Sequence, residues 1–173
     1  RHPARGRVTD QLAFIHGRIG INHHMKSGGD RRIADAVTQM LIQRGHTVTV
    51  IDDLSTGQAE NIAALRSHPR FQFVRETITN LQVLDRLTSQ ADIVIHLAAA
   101  VGVKLIVENP VHTIRTNIMG SEAVLTTANR YGCKVLITST SEVYGKGVSV
   151  PFHEEDDCLL GPTSHSRWAY ATS

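Results

Sequence analysis

Residues 136 to 145 read Leu-Ile-Thr-Ser-Thr-Ser-Glu-Val-Tyr-Gly, and their pattern indicates the fold class. The run from Lys134 to Ile137 is typical of a buried strand, and it stops at a cluster of hydroxyl side chains followed by Glu142. In open α/β sheets, ligands bind just beyond the carboxyl ends of the strands. We therefore expect the residues from Thr138 to Glu142 to face a bound molecule.

Strands and helices alternate along the rest of the chain. Apolar residues at helical spacing begin at Ile33, and Gly45 is placed to end that helix. Further strands are predicted at residues 47–51, 71–74 and 93–97, and further helices at 61–65, 81–87 and 111–130. This alternation predicts the α/β class, with a Rossmann-like, doubly wound parallel sheet.

Size and composition narrow the classes of protein. With 173 residues, of which 41% are apolar, the chain can bury one core and has the usual size of one domain. A net charge of +2 is too small to favour nucleic acid or an anionic membrane as a partner. No apolar run approaches the roughly 20 residues that span a bilayer. Cys133 and Cys158 are the only cysteines, which indicates a reducing compartment, and we expect the cytoplasm.

A tyrosine near the end of the sequence points to the functional class. Residues 167–173 predict the start of a helix that carries Tyr170, about 30 residues after the hydroxyl of Thr140. This arrangement resembles the extended, nucleotide-sugar-modifying branch of the short-chain dehydrogenase/reductase superfamily. The resemblance implies that Tyr170 removes a proton from a sugar hydroxyl and that Thr140 holds the same hydroxyl in line. The family motif is Tyr-x-x-x-Lys, and its lysine would be residue 174, beyond the last residue of the sequence.

The same resemblance implies NAD as the cofactor. Asp52 ends the second predicted strand about 20 residues beyond the glycine loop, where a carboxylate accepts both ribose hydroxyls of the adenosine. An acid there repels a 2′-phosphate, so NAD is preferred over NADP. In the family, Asn117 is largely structural. The implied cofactor-binding residues are Gly28, Gly29, Asp52, Asp53, Ser55, Thr56, Gly57, Ala98, Ala99 and Asn117.

The glycine loop has two possible positions. In the favoured one, the Thr-Gly-x-x-Gly-x-x-Gly motif of the family lies on residues 27–34, after a strand at 21–26. Arg31 then replaces the glycine that lets the backbone approach the pyrophosphate, and residues 21–26 lack the continuous apolar run of a central strand. In the alternative, residues 12–15 form the strand and residues 17–20 the loop, with an insertion before the helix.

Two further patterns concern adenine and metal. Arg75-Glu76-Thr77-Ile78 stands where the family usually has Gly-Asp-Ile, so the Asp that addresses the adenine is missing. His96 is expected as a packed histidine at a strand end. His23 and His24 are adjacent and point apart on any regular element, so no metal site is predicted.

Glu142 narrows the reaction. Simple 4-epimerases of the family usually have a small or neutral residue at its place, whereas sugar-nucleotide decarboxylases and 4,6-dehydratases have a Glu that moves a second proton. Ser141 replaces the Asp that dehydratases pair with it. Residues 150–157 and 167–170 look similar to UDP-glucuronate decarboxylases. The resemblance thus implies oxidation at the sugar C4 to a β-keto acid that loses carbon dioxide, with Thr140, Glu142 and Tyr170 as catalytic residues.

Three alternatives stay open beside that reaction: UDP-glucose 4-epimerase-like activity, a non-catalytic nucleotide-binding module and an inactive fragment. The sequence starts with Arg1 and no hydrophobic segment follows, so we expect a fragment without a secretion signal. Residues 1–26 are expected as a poorly defined segment, and residues 27–173 as the cofactor half of the domain, without the substrate domain. Turnover by the chain alone is expected below detection. The family dimerises through a four-helix bundle, and we expect this chain to be a monomer or to associate loosely through the 111–130 helix.

Overall fold

The computed structural model describes residues 11–15, 33–54, 59–100 and 108–173. Its sheet has five parallel strands in the order β3-β2-β1-β4-β5. The strands are β1 (Gln11–Ile15), β2 (Thr47–Ile51), β3 (Phe71–Val74), β4 (Ile93–His96) and β5 (Lys134–Ile137). The predicted parallel, doubly wound sheet is therefore confirmed.

The favoured prediction for the position of the first strand was wrong. That position placed the strand at residues 21–26, whereas β1 occupies Gln11–Ile15 and pairs with both β2 and β4. The reason is composition, because a central strand is covered on both faces and needs a continuous apolar run, which residues 12–15 supply. The strand of the alternative register is thus the right one. The glycines of both registers lie outside the described residues.

Helices connect the strands. In chain order they are α1 (Ile33–Gln43), a 3-10 helix (Ala59–Leu65), α2 (Leu81–Thr88), α3 (Pro110–Ile114), a π-helical segment (Arg115–Met119), α4 (Gly120–Tyr131), a 3-10 helix (Ser141–Tyr144) and α5 (Trp168–Ala171). Gly45 ends the turn after α1 with φ +93°, a conformation that favours glycine. The Asn80 side chain caps α2 by accepting a hydrogen bond from the Val83 backbone N–H.

Two apolar layers enclose the sheet. One layer contains Leu84 and Val124 from α2 and α4, and the other contains Ile42 from α1. Successive residues of β4 alternate between them, because Val94 belongs to the first layer and Ile95 to the second. Helices therefore pack on both faces of the sheet. Within the described residues, no helix combines the length and apolar character needed to cross a membrane.

The edge strand β5 is a strand as predicted, but its burial was predicted wrongly. Val135, Leu136 and Ile137 are 37%, 56% and 48% exposed. This strand pairs with β4 along one edge and is the last strand of the sheet, and no described element covers its apolar side chains. An apolar run predicts burial only when a partner layer is present.

Candidate active site

The strand ends meet at one edge of the sheet. Ile15, the last residue of β1, pairs with Ile51 and with His96, and His96 pairs with Ile137. The residues that follow β2, β4 and β5 therefore start at the same level. Chain order reverses between β1 and β4, and such a switch point is where open α/β sheets bind their ligands.

Three predicted catalytic residues come together beyond β5. Thr140 caps the 3-10 helix Ser141–Tyr144, and its hydroxyl oxygen accepts a hydrogen bond of 3.3 Å from the Glu142 backbone N–H. The Tyr170 phenol, which is carried by α5, lies close enough to the Thr140 side chain for that side chain to lower its pKa. Glu142 is exposed, whereas Thr140 and Tyr170 are half-buried. Thr140 thus links the carboxylate-bearing turn to the phenol.

Electrostatics keep the Tyr170 phenol protonated. Burial raises its pKa above the ordinary value of 10.0, the hydrogen bond from Thr140 lowers it, and the negative charge of Glu142 raises it. The net direction is upward, because transferring a phenolate out of water is unfavourable and a nearby carboxylate opposes a second negative charge. A base at this position therefore needs a positive charge beside it to work near neutrality.

Asp52 lies at the end of β2, where the resemblance places the ribose ligand. It is only 7% exposed, and its Oδ1 accepts a 2.7 Å hydrogen bond from the backbone N–H of Leu54. Leu54 has φ +57°, an unfavourable conformation for a branched residue, so the Asp52 turn holds a strained backbone. Asp53 is exposed. The predicted cofactor residues Gly28, Gly29, Ser55, Thr56 and Gly57 lie outside the described residues.

Small residues follow β4, and Asn117 braces them. Ala98 and Ala99 are half-buried and present only methyl groups beside the switch point. The Oδ1 of buried Asn117 accepts a 2.7 Å hydrogen bond from the Ala100 backbone N–H, and its Nδ2 donates to the Ser173 hydroxyl at 3.0 Å. Asn117 therefore ties the β4 loop to the end of α5. The methyl-lined loop and the acid at the end of β2 together fit a dinucleotide laid across the strand ends.

His96 is buried in a manner that excludes its charged form. It is 3% exposed, its Nε2 lies 3.1 Å from the Ser121 hydroxyl, and its Nδ1 has no hydrogen-bond partner among the described residues. Burial lowers its pKa from 6.5 to about 4. Sequence reasoning expected a packed histidine but missed Ser121, because a contact between residues 25 apart leaves no local signal.

The departure at Glu76 has a structural explanation. One Glu76 oxygen accepts from the Thr77 backbone N–H at 2.8 Å, and the other accepts from the Asn80 side chain at 3.0 Å. Asn80 is the cap of α2, so Glu76 orients that cap. Among the described residues, no group of three potential metal ligands occurs.

Comparisons with known proteins indicate the family of the chain. Residues 27–173 match the NAD dependent epimerase/dehydratase family. The chain is 38% identical over 145 residues to a UDP-N-acetyl-alpha-D-glucosaminuronate decarboxylase of Bacillus cytotoxicus, covering 84% of the chain and 44% of that protein. It is 38% identical over 128 residues to UDP-glucuronic acid decarboxylase 1 of Arabidopsis thaliana, covering 74% of the chain and 28% of that protein.

A solved structure shows the same architecture. The UDP-glucose 4-epimerase of Thermotoga maritima, determined with UDP-glucose, is 29% identical, with a TM-score of 0.65 over 81% of this chain and 41% of that one. The chain thus spans less than half the length of these relatives. The family match covers more than half of the chain and the strand order agrees with it. The chain therefore belongs to the NAD dependent epimerase/dehydratase family, whose cofactor is NAD.

Proposed function

We propose that this chain carries the NAD site and the catalytic residues of an enzyme that oxidises a UDP-sugar at C4, and that its reaction is the decarboxylation of UDP-glucuronate. The observation that carries the proposal is the contact of Thr140 with both the Glu142 turn and the Tyr170 phenol. The names of the two decarboxylase relatives support the choice of reaction.

The described residues divide the chemistry between them. Asp52, held by its hydrogen bond from Leu54, accepts the adenosine ribose hydroxyls, and Ala98 and Ala99 leave room for the dinucleotide. Thr140 orients the sugar 4-hydroxyl, and Tyr170 accepts its proton. NAD, when held by these residues, would supply the acceptor for the hydride that leaves C4. The C4 carbon thereby becomes a ketone, and no atom of the protein is consumed.

Glu142 serves the second half of the reaction. A ketone at C4 is β to the C6 carboxylate, so the C5–C6 bond breaks, carbon dioxide leaves, and the electron pair moves onto the C4 oxygen. The resulting enolate needs a proton at C5. Glu142 is exposed at the strand edge, two residues after Thr140, so its carboxylate can take up a proton from solvent and deliver it to C5. The hydride removed from C4 would then return to that carbon, which restores the hydroxyl and leaves no net oxidation.

Glu142→Gln tests the decarboxylase assignment. A positioned proton donor contributes roughly 10²- to 10⁴-fold in rate, so the variant should release carbon dioxide from UDP-glucuronate at least about 100-fold more slowly. The matched control is Glu154→Gln, an exposed carboxylate in the turn beyond β5. The rates are measured on this chain and on the longest protein that contains it. Carbon dioxide release by Glu142→Gln at the wild-type rate would contradict the assignment.

Thermal melts with millimolar NAD test cofactor binding without turnover. A ligand that binds only the folded state stabilises it by about 2.7 kcal/mol at a hundredfold excess over Kd. Asp52→Asn keeps an oxygen for the Leu54 N–H but loses the charge that accepts the ribose hydroxyls. We expect NAD to raise the melting temperature of the wild type and of Asp157→Asn, an exposed control, and to do so less for Asp52→Asn. A melting temperature that does not change with NAD in any of the three proteins would refute the cofactor site.

A 4-epimerase is the second candidate. The similarity to the Thermotoga maritima UDP-glucose 4-epimerase favours it. Conversion of UDP-glucose to UDP-galactose, with no carbon dioxide from UDP-glucuronate, would replace the decarboxylase proposal.

The outer face of the long helical segment supports a homodimer. Val111, Ile114, Ile118 and Leu125 are all exposed and recur at helical spacing. They form an apolar stripe on one side of the segment from α3 to α4. We propose that a second copy of the protein covers this stripe.

A further inference from the structure

The ring of Trp168 lies outside both core layers yet is nearly buried. Trp168 is the single tryptophan of the sequence and is 8% exposed. Its indole lies under two cations, with the Arg167 guanidinium carbon 4.6 Å and the Lys146 ammonium nitrogen 5.8 Å from the ring centroid. Both distances are within the range of cation–π attraction.

The edge of the indole ring lies directly against Gly161 and leaves no room for a side chain there. A Cβ at that position would lie 2.4 Å from the indole Nε1 and 2.7 Å from Cε2 and Cζ2. The Nε1–H is buried and has no hydrogen-bond partner in the part of the chain that the structure describes. Its hydrogen bonding therefore does not explain why a tryptophan is here, whereas the shape and the π face of the ring do.

The cradle of Gly161, Lys146 and Arg167 connects the ring to the catalytic turn. Lys146 follows that turn by two residues, and its backbone N–H donates a 2.7 Å hydrogen bond to the Leu159 carbonyl. Leu159 in turn lies two residues before Gly161. The ring is therefore held by both ends of one loop that starts at the catalytic turn.

The first residue of α5 is Trp168, and Tyr170 lies two positions later. Residues separated by two on a helix point to different sides, so the indole packs into its cradle while the phenol faces Thr140.

We propose that Trp168 is a positioning residue: its ring, held by Gly161, Lys146 and Arg167, sets the first turn of α5 so that the Tyr170 hydroxyl meets Thr140. This inference rests on the proposed role of Tyr170 as the base. Trp168 itself touches neither the sugar nor the cofactor and acts through Tyr170.

The test follows the Tyr170 ring in solution by ¹³C-tyrosine NMR, with its signal assigned by Tyr170→Phe. Trp168→Leu removes the π face, and Trp168→Phe keeps an aromatic ring without the unpaired N–H. We expect Trp168→Leu to shift the Tyr170 signal and to bring its titration midpoint down toward that of a free phenol, since burial is lost, and Trp168→Phe to restore most of the wild-type behaviour. Val124→Ala, on the core-facing side of α4, should lose stability without moving the signal. An unchanged Tyr170 signal in Trp168→Leu would overturn the inference.

A variant that keeps the tryptophan covers the case in which Trp168→Leu fails to fold. Gly161→Ala pushes on the indole edge and should move the Tyr170 signal in the same direction, and no movement would again overturn the inference. With a UDP-sugar and NAD, each displacing variant should lower kcat about tenfold or more at nearly constant KM, because small misplacements of a catalytic group are costly. Absence of turnover in the longest protein that contains this chain would refute the proposed function alone, since the NMR result does not depend on catalysis.

Discussion

Acidification should unfold this protein through His96. The folded histidine stays neutral to about pH 4, because its ring is buried and its Nδ1 has no partner within residues 11–15, 33–54, 59–100 and 108–173, while the unfolded one takes up a proton near pH 6.5. Between these values the unfolded state binds more protons, so the free energy of unfolding falls as pH falls. The stabilisation is fully present above pH 6.5. At about 1.4 kcal/mol for each pH unit, its loss reaches about 3 kcal/mol near pH 4, a large part of the stability of a domain.

The assay is urea unfolding of the wild type, His96→Gln and His112→Gln between pH 7 and pH 4. His112 is exposed on α3, so its variant should follow the wild type. His96→Gln loses the contact with Ser121 and should start less stable at pH 7, but it cannot titrate, so its curve should be flatter by about 3 kcal/mol over the range. Carboxylates contribute equally to all three curves. Parallel curves for the wild type and His96→Gln would refute the buried neutral imidazole.

Two further predictions concern packing and association. A Cβ on Gly120 would lie 2.5 Å from the Ile78 Cδ1. The change in the free energy of unfolding on Gly120→Ala, measured with urea, should therefore be more favourable by about 1 kcal/mol in an Ile78→Val background than in the wild type. Additive effects of the two substitutions would argue against this contact. Light scattering should detect loose, concentration-dependent self-association of the wild type, and Ile118→Lys on the exposed stripe should abolish it. The control Met40→Lys replaces an exposed apolar residue on α1 and should leave the self-association unchanged. Equal behaviour of the two variants would place the contact elsewhere.

Local pattern was enough to predict most of the elements. The helix from Ile33, the strand Thr47–Ile51 and the strand Lys134–Ile137 occur where periodicity places them. The first strand could not be placed by counting back from Gly45, because the count assumes a glycine loop of family length and so selected residues 21–26 over the apolar run at 12–15. Pattern also could not predict that β5 is exposed, since burial depends on what packs against a strand.

The candidate site could likewise be predicted only in part. The resemblance identified Thr140 and Tyr170, and the structure brings them into contact from segments 30 residues apart. No pattern pointed to the Asn117 bridge to Ser173 or to the cradle of Trp168, because these depend on distances between side chains that are remote in sequence. The sequence therefore pointed to the residues that we propose to react, and it did not point to the residues that hold them in place.

The charges around Tyr170 give Glu142 two opposed effects on one reaction. The carboxylate raises the pKa of the phenol, so it hinders the first proton transfer, while in the proposed reaction it delivers a solvent-derived proton after carbon dioxide leaves. Replacing the Glu142 carboxylate by a neutral group should therefore favour oxidation at C4 and block the later proton transfer to C5. If Glu142 has the proposed role, Glu142→Gln treated with UDP-glucuronate and NAD accumulates reduced cofactor that the wild type does not. A Glu142 that is merely solvated would still act on the phenol through its charge, but its replacement would not stop the reaction after carbon dioxide leaves. Accumulation of reduced cofactor therefore separates a catalytic Glu142 from a solvated one.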